Sequence, residues 1–500
     1  MVSRGDWENE IAKKGLPYET ERLQYKFNGI GLQPEEVAQI YMLNIKTKKS
    51  KQITDLSSSP SGLVYAKNGV LYFSASPNKN DADFWLNNFY RLEPNQSKPQ
   101  ALLKNPKIAS SASPSPDDVN LVYVAPITSS FASPNGLFLM PSKGGKSKLL
   151  TAEYDIGSSP NGDSHYGSYS NRAKWLDNQT VLVNLNHRGR SSLAKIDIKT
   201  AQITILDQEK RAIAAFDNKN GSTVFIAETP QKPAELFLSK NGKEKRLSKL
   251  NDAFVRRYAL ANASEEIIIK KPKQADISYW KIETKNPRKD KALVLQVHGG
   301  PHTNYGYGFF HEFHMQAAAG YTVVYGNPRS SSSYGKDFAL AALGKYGTVD
   351  ADDVMAIAKH ALKNHSSSKA PMHLTGGSYG GFMTNWLVGQ NNFFASAVSQ
   401  RSISNWLSFY GSSDIGYRFA ATEVDGNPWD DTDKLWQQSP MKYVKKVKTP
   451  ILLIHSEEDH RCPIEQAEQF YIAIKILNKA DTKFIRYPNE SHELSRSGRP

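Results

Sequence analysis

Cysteine is almost absent from this chain: there is one, Cys462, in 500 residues. A single thiol excludes any internal disulfide and fits a reducing compartment. A catalytic thiol is one use for it; a small, half-buried residue beside a strand end is the simpler one. Long apolar runs are missing too. Nothing approaches the roughly 18 consecutive apolar residues of a membrane-spanning helix, and the opening stretch, MVSRGDWENEIAKKG, lacks the apolar centre of a signal peptide. The expected location is the cytoplasm, away from membranes. Acidic residues fall short of basic ones, 49 against 63, for a formal charge of +14. Such an excess would suit nucleic acid. The lysines, however, gather in KTKKSK (46–51), KNGKEKRLSK (240–249), KNPRKDK (285–291) and KYVKKVK (442–448), mostly between apolar segments where solvated turns belong. No recognition motif accompanies them, so no nucleic-acid partner is expected. There is no sign of a metal site or an organic cofactor, and neither is expected.

What is present divides the chain in two. From about 38 to 265 short alternating apolar runs follow one another, among them GVLYFSAS, NLVYVAP, QTVLVNLN and STVFIAE, separated by Gly, Pro, Asn and Ser clusters. Long helical patterns are missing there, so the region reads as all-β. A loose unit recurs, starting near Ala38, Asn87, Asn135, Ser191 and Ala234, at a spacing of about 40 residues, the period of a four-stranded propeller blade. A β-sandwich is the competing arrangement. From about 290, strand-like runs alternate with helical spacing: ALVLQV, YTVVYG, MHLTG, ASAVS, ILLIHS and KFIRY, with helices between them. Near-continuous apolar strands alternating with amphipathic helices imply a mostly parallel, doubly wound sheet, with its chemistry at the carboxyl ends of the strands. The expected domains are 1–270, β-propeller-like with about five blade units, and 271–500, an α/β-hydrolase catalytic domain.

Ser378 lies in LTGGSYGGFMTNW, between a strand ending near Thr375 and a helix beginning near Phe382. That is the context of a nucleophile elbow, with Gly376 and Gly380 where strand and helix crowd together. A serine hydroxyl needs a base, and the base an orienting acid. On such a sheet they follow in the order Ser, acid, His. Of the histidines downstream, His455 lies within its strand and His460 adjoins the acid Asp459, leaving His492 in the loop after KFIRY. Ser378, Asp459 and His492 are therefore the expected triad, with Glu457 and Glu458 as rival acids. HGGP (298–301), after the first strong strand, offers the N–H of Gly300 as one oxyanion donor. The N–H of Tyr379 is the other.

VHGGPH (297–302), NPRSSSSYG (327–335), KYGTVDADDV (345–354), GGSYGGFM (376–383), QRSISNW (400–406), HSEEDHRCP (455–463) and ESHELSRSGRP (490–500) occur in that order. Together they resemble the prolyl oligopeptidase family of serine peptidases, on its acylaminoacyl-peptidase-like branch; upstream, only the β repeats and YETERLQYK (18–26) match. The resemblance implies a β-propeller joined to an α/β-hydrolase domain, peptides as substrates, and the same triad. It also assigns Arg461, otherwise a surface arginine, to gripping a substrate backbone carbonyl. Ser330 stands where the family usually has glycine and Cys462 where it usually has valine; neither change removes a catalytic group. The family's propellers generally have about seven blades and its chains continue past SRSGRP into a closing helix, so this chain looks shortened at both ends. The function expected is hydrolysis of short peptides, acylaminoacyl or oligopeptide. An esterase using the same triad and a non-catalytic binding module are the alternatives, and homo-oligomerisation stays open.

Overall fold

The computed structural model describes residues 17–33, 36–77, 85–164, 172–258, 260–268 and 276–494. The opening MVSRGDWENEIAKKG and the closing SRSGRP lie outside the described residues.

Within the first half, antiparallel sheets succeed one another along the chain. A two-stranded sheet (Tyr41–Leu43 with Ser50–Gln52) is followed by three of four strands, beginning at Ser61, Ser110 and Ala212, and one of five beginning at Asp155. Inner strands are apolar on both faces, as in Leu71–Ala75 and Leu121–Ala125, because each sheet packs against its neighbours. The outermost strands are short and polar (Gln100–Ala101, Lys243–Arg246), which blunts their open edges. The recurrence read from the sequence is out of phase with these sheets. Asn87, Asn135 and Ala234 fall at or within the third strand of a sheet and Ser191 within the fourth, and the true period is longer than the sequence suggested.

The second half is one eight-stranded sheet. Its strands are β1 (Ala263–Ile268), β2 (Ile277–Ile282), β3 (Leu293–Val297), β4 (Thr322–Gly326), β5 (Met372–Ser378), β6 (Ser396–Ser402), β7 (Ile451–Ser456) and β8 (Thr482–Tyr487), in the spatial order β1-β2-β4-β3-β5-β6-β7-β8. β3 to β8 run parallel, and the β1–β2 hairpin joins antiparallel through β4. Helices α1 (His311–Ala318), α2 (Val349–Lys363), α3 (Tyr379–Gln390) and α4 (Glu465–Leu477) connect the strands. α3 is buried along nearly its whole length, with Phe382 and Met383 fully enclosed. Each such side chain contributes roughly 1.5–3 kcal/mol by leaving water, which holds the elbow at the helix start against the sheet.

Two features correct the expected division at 270. β1 lies before that point, yet it pairs along its whole length with β2, so a cut there would split the first hairpin of the sheet. The segment at 17–33, assigned to the propeller by position, docks on the catalytic half: Lys26 Nζ donates to Ser412 O at 2.6 Å and Gln24 Nε2 to Asp414 O at 3.1 Å. Hydrogen bonds between segments hundreds of residues apart leave no local pattern. We propose that the division falls just after the helix Asp252–Arg257, with 17–33 counted among the catalytic elements.

Candidate active site

β5 runs straight into α3, and Ser378 at the junction has φ 62° and ψ −123°, left-handed for a residue with a side chain. Such a conformation costs on the order of 1–3 kcal/mol and persists only where the surroundings enforce it. The flanking glycines are part of that enforcement. A Cβ at Gly376 would lie 2.6 Å from Gly380 O and 2.7 Å from Val297 O, and one at Gly380 would run into Val297 O. The turn thus presents Ser378 with its neighbours packed tight, as the GxSxG spacing suggested.

The residues expected as acid and base lie in the loops after β7 and β8. Asp459 is buried; its Oδ1 accepts the backbone N–H groups of Arg461 (3.0 Å) and Cys462 (2.8 Å), and its Oδ2 accepts His492 Nδ1–H at 2.7 Å. His455 Nε2 lies 3.4 Å from the same Oδ2 and donates to Cys462 O at 2.6 Å. Burial pushes the Asp459 carboxyl up, but the bonds from His455 and His492 outweigh it and hold the group far below the ordinary carboxylate range. For His492, burial lowers the imidazole pKa, the Asp459 carboxylate raises it and Arg401 lowers it again; the net direction is down. A donating Nδ1–H leaves Nε2 as the basic nitrogen. The rival acids are placed elsewhere: Glu457 and Glu458 are exposed, and Glu457 pairs with Arg486 at 3.0 Å.

Ser378 and His492 are not joined by a hydrogen bond; among the described residues Ser378 Oγ has one side-chain hydrogen-bonding partner, Cys462 Sγ at 4.0 Å. Nucleophile–base bonds are often long before substrate binds. Cys462 is buried, and burial pushes its thiol well above the ordinary range, which keeps it protonated and inert.

The HGGP turn lies against the elbow: a Cβ on Gly299 would sit 3.2 Å from Ser378 Cβ. The N–H groups of Gly300 and Tyr379 donate to no backbone carbonyl among the described residues. Both amides are braced. Thr303 Oγ1 donates to Gly299 O at 2.9 Å and accepts Asn161 Nδ2–H from the β half at 3.0 Å; His302 Nε2 meets the buried Glu423 at 2.6 Å. The Tyr379 hydroxyl donates to Asp350 beneath the helix start.

Arg461 does not reach out freely, as a surface arginine would. Its guanidinium forms a two-point pair with the fully buried Asp414, Nε to Oδ1 at 2.8 Å and Nη2 to Oδ2 at 3.1 Å, which fixes its plane. Sequence reasoning missed Asp414, Asn28, Thr303 and Asn161 altogether. It also gave Arg401 no role, although this residue has φ 37° and its guanidinium covers the Cα of Gly377. Arg401, Gly299 and Gly377 line a cavity of about 530 Å³ that is also lined by Asn161, Pro233 and Phe254 of the β half. Any molecule filling it lies between the two halves, beside the serine. Among the described residues no cluster of His, Cys, Asp and Glu could hold a metal ion, and no helix is long and apolar enough to cross a membrane.

Residues 307–499 match the prolyl oligopeptidase family. The chain is 44% identical over 347 residues to the "Uncharacterized peptidase YuxL" of Bacillus subtilis (strain 168), covering 68% of this chain and 52% of that one. It is 27% identical over 376 residues to the acylamino-acid-releasing enzyme of Rattus norvegicus, covering 70% and 51%. It therefore spans about half the length of the curated relatives it matches. Among solved structures, the uncomplexed acylaminoacyl peptidase of Pyrococcus horikoshii superposes with a TM-score of 0.81 at 24% identity, over 95% of this chain and 74% of its own. An acylaminoacyl peptidase in complex with Z-Gly-Gly-Phe-chloromethyl ketone gives 0.82 at 24%, over 96% and 74%. These likenesses carry the fold, a β-propeller domain followed by an α/β-hydrolase domain. With the family match over the catalytic half and the 44% relative extending beyond it, the chain belongs to the prolyl oligopeptidase family, on its acylaminoacyl peptidase branch.

Proposed function

We propose that this protein is a serine peptidase that hydrolyses short peptides, acylaminoacyl or oligopeptide, through an acyl-enzyme. Ser378 Oγ attacks the scissile carbonyl carbon while His492 Nε2 takes its proton, and the carbonyl oxygen becomes an oxyanion held by the N–H groups of Gly300 and Tyr379. Collapse breaks the C–N bond, and the imidazolium gives its proton to the leaving amine. Water then attacks the acyl-serine by the same route in reverse, releasing the acid and restoring the hydroxyl. Asp459 keeps His492 in the required tautomer and stabilises the imidazolium. Arg461, its plane fixed by Asp414, offers its remaining N–H groups to a substrate carbonyl. The observation that carries this proposal is the 2.7 Å bond from His492 Nδ1 to the buried Asp459, made at the carboxyl ends of the strands beside a strained serine turn.

Peptides rather than simple esters fit the cavity shared with the β half, and a related peptidase has been captured with a peptide chloromethyl ketone. The proposed compartment is the cytoplasm, in keeping with the single buried thiol. Labelling with a fluorophosphonate and turnover of an acyl-peptide anilide test the proposal together. The wild-type chain should do both, and Ser378→Ala should lose labelling and at least about a thousandfold in turnover. Labelling that survives in Ser378→Ala would sink the assignment of the nucleophile. A strong preference for a nitrophenyl ester over the anilide would give the site to the esterase alternative.

A further inference from the structure

The short hairpin formed by Lys26–Phe27 and Gly31–Leu32 places Asn28 at the meeting point of the acid and base loops. Its side-chain carbonyl, Oδ1, accepts the backbone N–H of His460 at 3.3 Å and that of His492 at 3.2 Å. One amide follows the acid directly and the other belongs to the base. A buried backbone N–H needs a partner, and here one oxygen satisfies two such groups from different loops, which fixes their separation. The backbone of Asn28 is tied independently: its N–H donates to Asp414 Oδ2 at 2.9 Å. The hairpin around it is held by Lys26 and Gln24, and the Arg461 guanidinium lies 5.4 Å from the centre of the Phe27 ring. The two loops are also joined by Glu457 N–H to Tyr487 O, by Glu458 N–H to Glu490 O and by the Asp459–His492 bond itself.

We infer that Asn28 is a positioning residue of the active site: its side-chain oxygen sets the spacing between the Asp459 and His492 loops, and through it the reach of the imidazole toward Ser378. This inference rests on Ser378, Asp459 and His492 forming the triad. It separates the side chain of Asn28 from its backbone. Removing the side chain frees the two amides but leaves the bond to Asp414, and with it the plane of Arg461, in place.

The test compares wild type, Asn28→Ala and Asn28→Asp at pH 8, by steady-state kinetics on an acyl-peptide anilide and by hydrogen exchange on peptides spanning 457–463 and 488–494. In Asn28→Ala, exchange should quicken in both peptides while the segment around Ser412 to Asp414 stays protected. A small displacement of a catalytic group is costly to rate, so kcat should fall about tenfold with KM within about twofold. Asn28→Asp keeps an acceptor oxygen and should restore protection of both peptides and part of kcat. Unchanged exchange in Asn28→Ala would overturn the inference. So would protection lost across the whole docking surface with kcat and KM moving together, since that is the pattern of a hairpin that merely stabilises the fold. A wild-type protein with no Ser378-dependent turnover would refute the triad, while the exchange result would still decide whether Asn28 joins the two loops.

Discussion

The two sides of the candidate active site are braced from different parts of the chain. The oxyanion side, HGGP and the turn after it, is held from the β half: Asn161 reaches Thr303, Glu228 accepts Phe309 N–H at 3.1 Å, and the Asp163 carboxylate accepts His311 N–H at 2.9 Å. The acid and base side is held from the hairpin before the first blade, through Asn28, Gln24 and Lys26. The first brace uses two carboxylates and one amide; the second uses amides and one lysine. Neither brace supplies an atom to the chemistry. What the contrast teaches is that a shared αβ sheet with good strand-end geometry is completed by segments that lie far from it in sequence, and that the two completions are chemically unlike.

The heart of the comparison is the Asp459–His492 bond that the second brace holds in place. Asp459→Asn keeps the shape but favours the wrong imidazole tautomer, so kcat should drop on the order of a thousandfold or more with KM little changed. Steady-state kinetics on the anilide substrate check this. A loss smaller than tenfold would hand the acid role to another carboxylate and leave the acid side of the comparison without its centre.

The braces themselves should each be worth far less. Thr303→Val removes both the bond to Gly299 O and the acceptor for Asn161, letting the HGGP turn shift relative to the oxyanion. A fall of about tenfold in kcat is expected, smaller than the loss of an oxyanion donor itself. Thr303 and Asn28 share no partner, so their effects on the activation free energy should add to within about 0.5 kcal/mol in the double variant. A double variant no worse than either single one would mean that the two sides move as one body, and the contrast drawn above would fail.

The elbow, HGGP and the candidate acid and base could be picked out because each is written within a few residues: glycines at fixed spacing around a serine, an acid just after a strand, a histidine in the loop after the next. The eight-stranded sheet was legible from β3 onward for the same reason, since its strands are apolar runs bounded by helical spacing. Asn28 was not, because its partners lie 432 and 464 residues away and are backbone amides, which every residue carries. Asp414 was equally hidden: nothing around it in FYGSSDIGY signals that it will be buried against Arg461. The β1–β2 hairpin was split by the division at 270, because β1, an antiparallel strand entering a parallel sheet, looks in sequence like one more strand of the preceding β region. The blade recurrence was seen but mis-phased, because the apolar inner strands carry the pattern and the polar outer ones do not.

The chemical difference between the braces predicts the smallest effect. Burial raises the Asp163 carboxyl, the His311 amide lowers it and Glu228 raises it again, and the group is pushed up to about 6. An unfolded aspartate titrates near 4, so between about pH 4 and 6 the folded chain holds a proton that the unfolded chain has lost. Stability contributed by this group is therefore greatest below pH 4 and declines as pH rises to 6. Asp155, buried near the same sheet and also pushed up to about 6, adds a slope of the same sign. Asp163→Asn still offers an oxygen to His311 N–H but does not titrate, so the fall in Tm between pH 4 and 6 should become shallower, with the remainder due to Asp155. The Asn28 side has no carboxyl raised in this way; its titrating groups include His460 and His492, both lowered chiefly by burial, and because Asn28 Oδ1 touches only their backbone amides, Asn28→Ala should shift Tm by about the same amount across that window. Thermal unfolding of both variants at pH 4, 5 and 6 decides it: a wild-type slope in Asp163→Asn, or a slope changed by Asn28→Ala, would erase the distinction between a titrating brace and a neutral one.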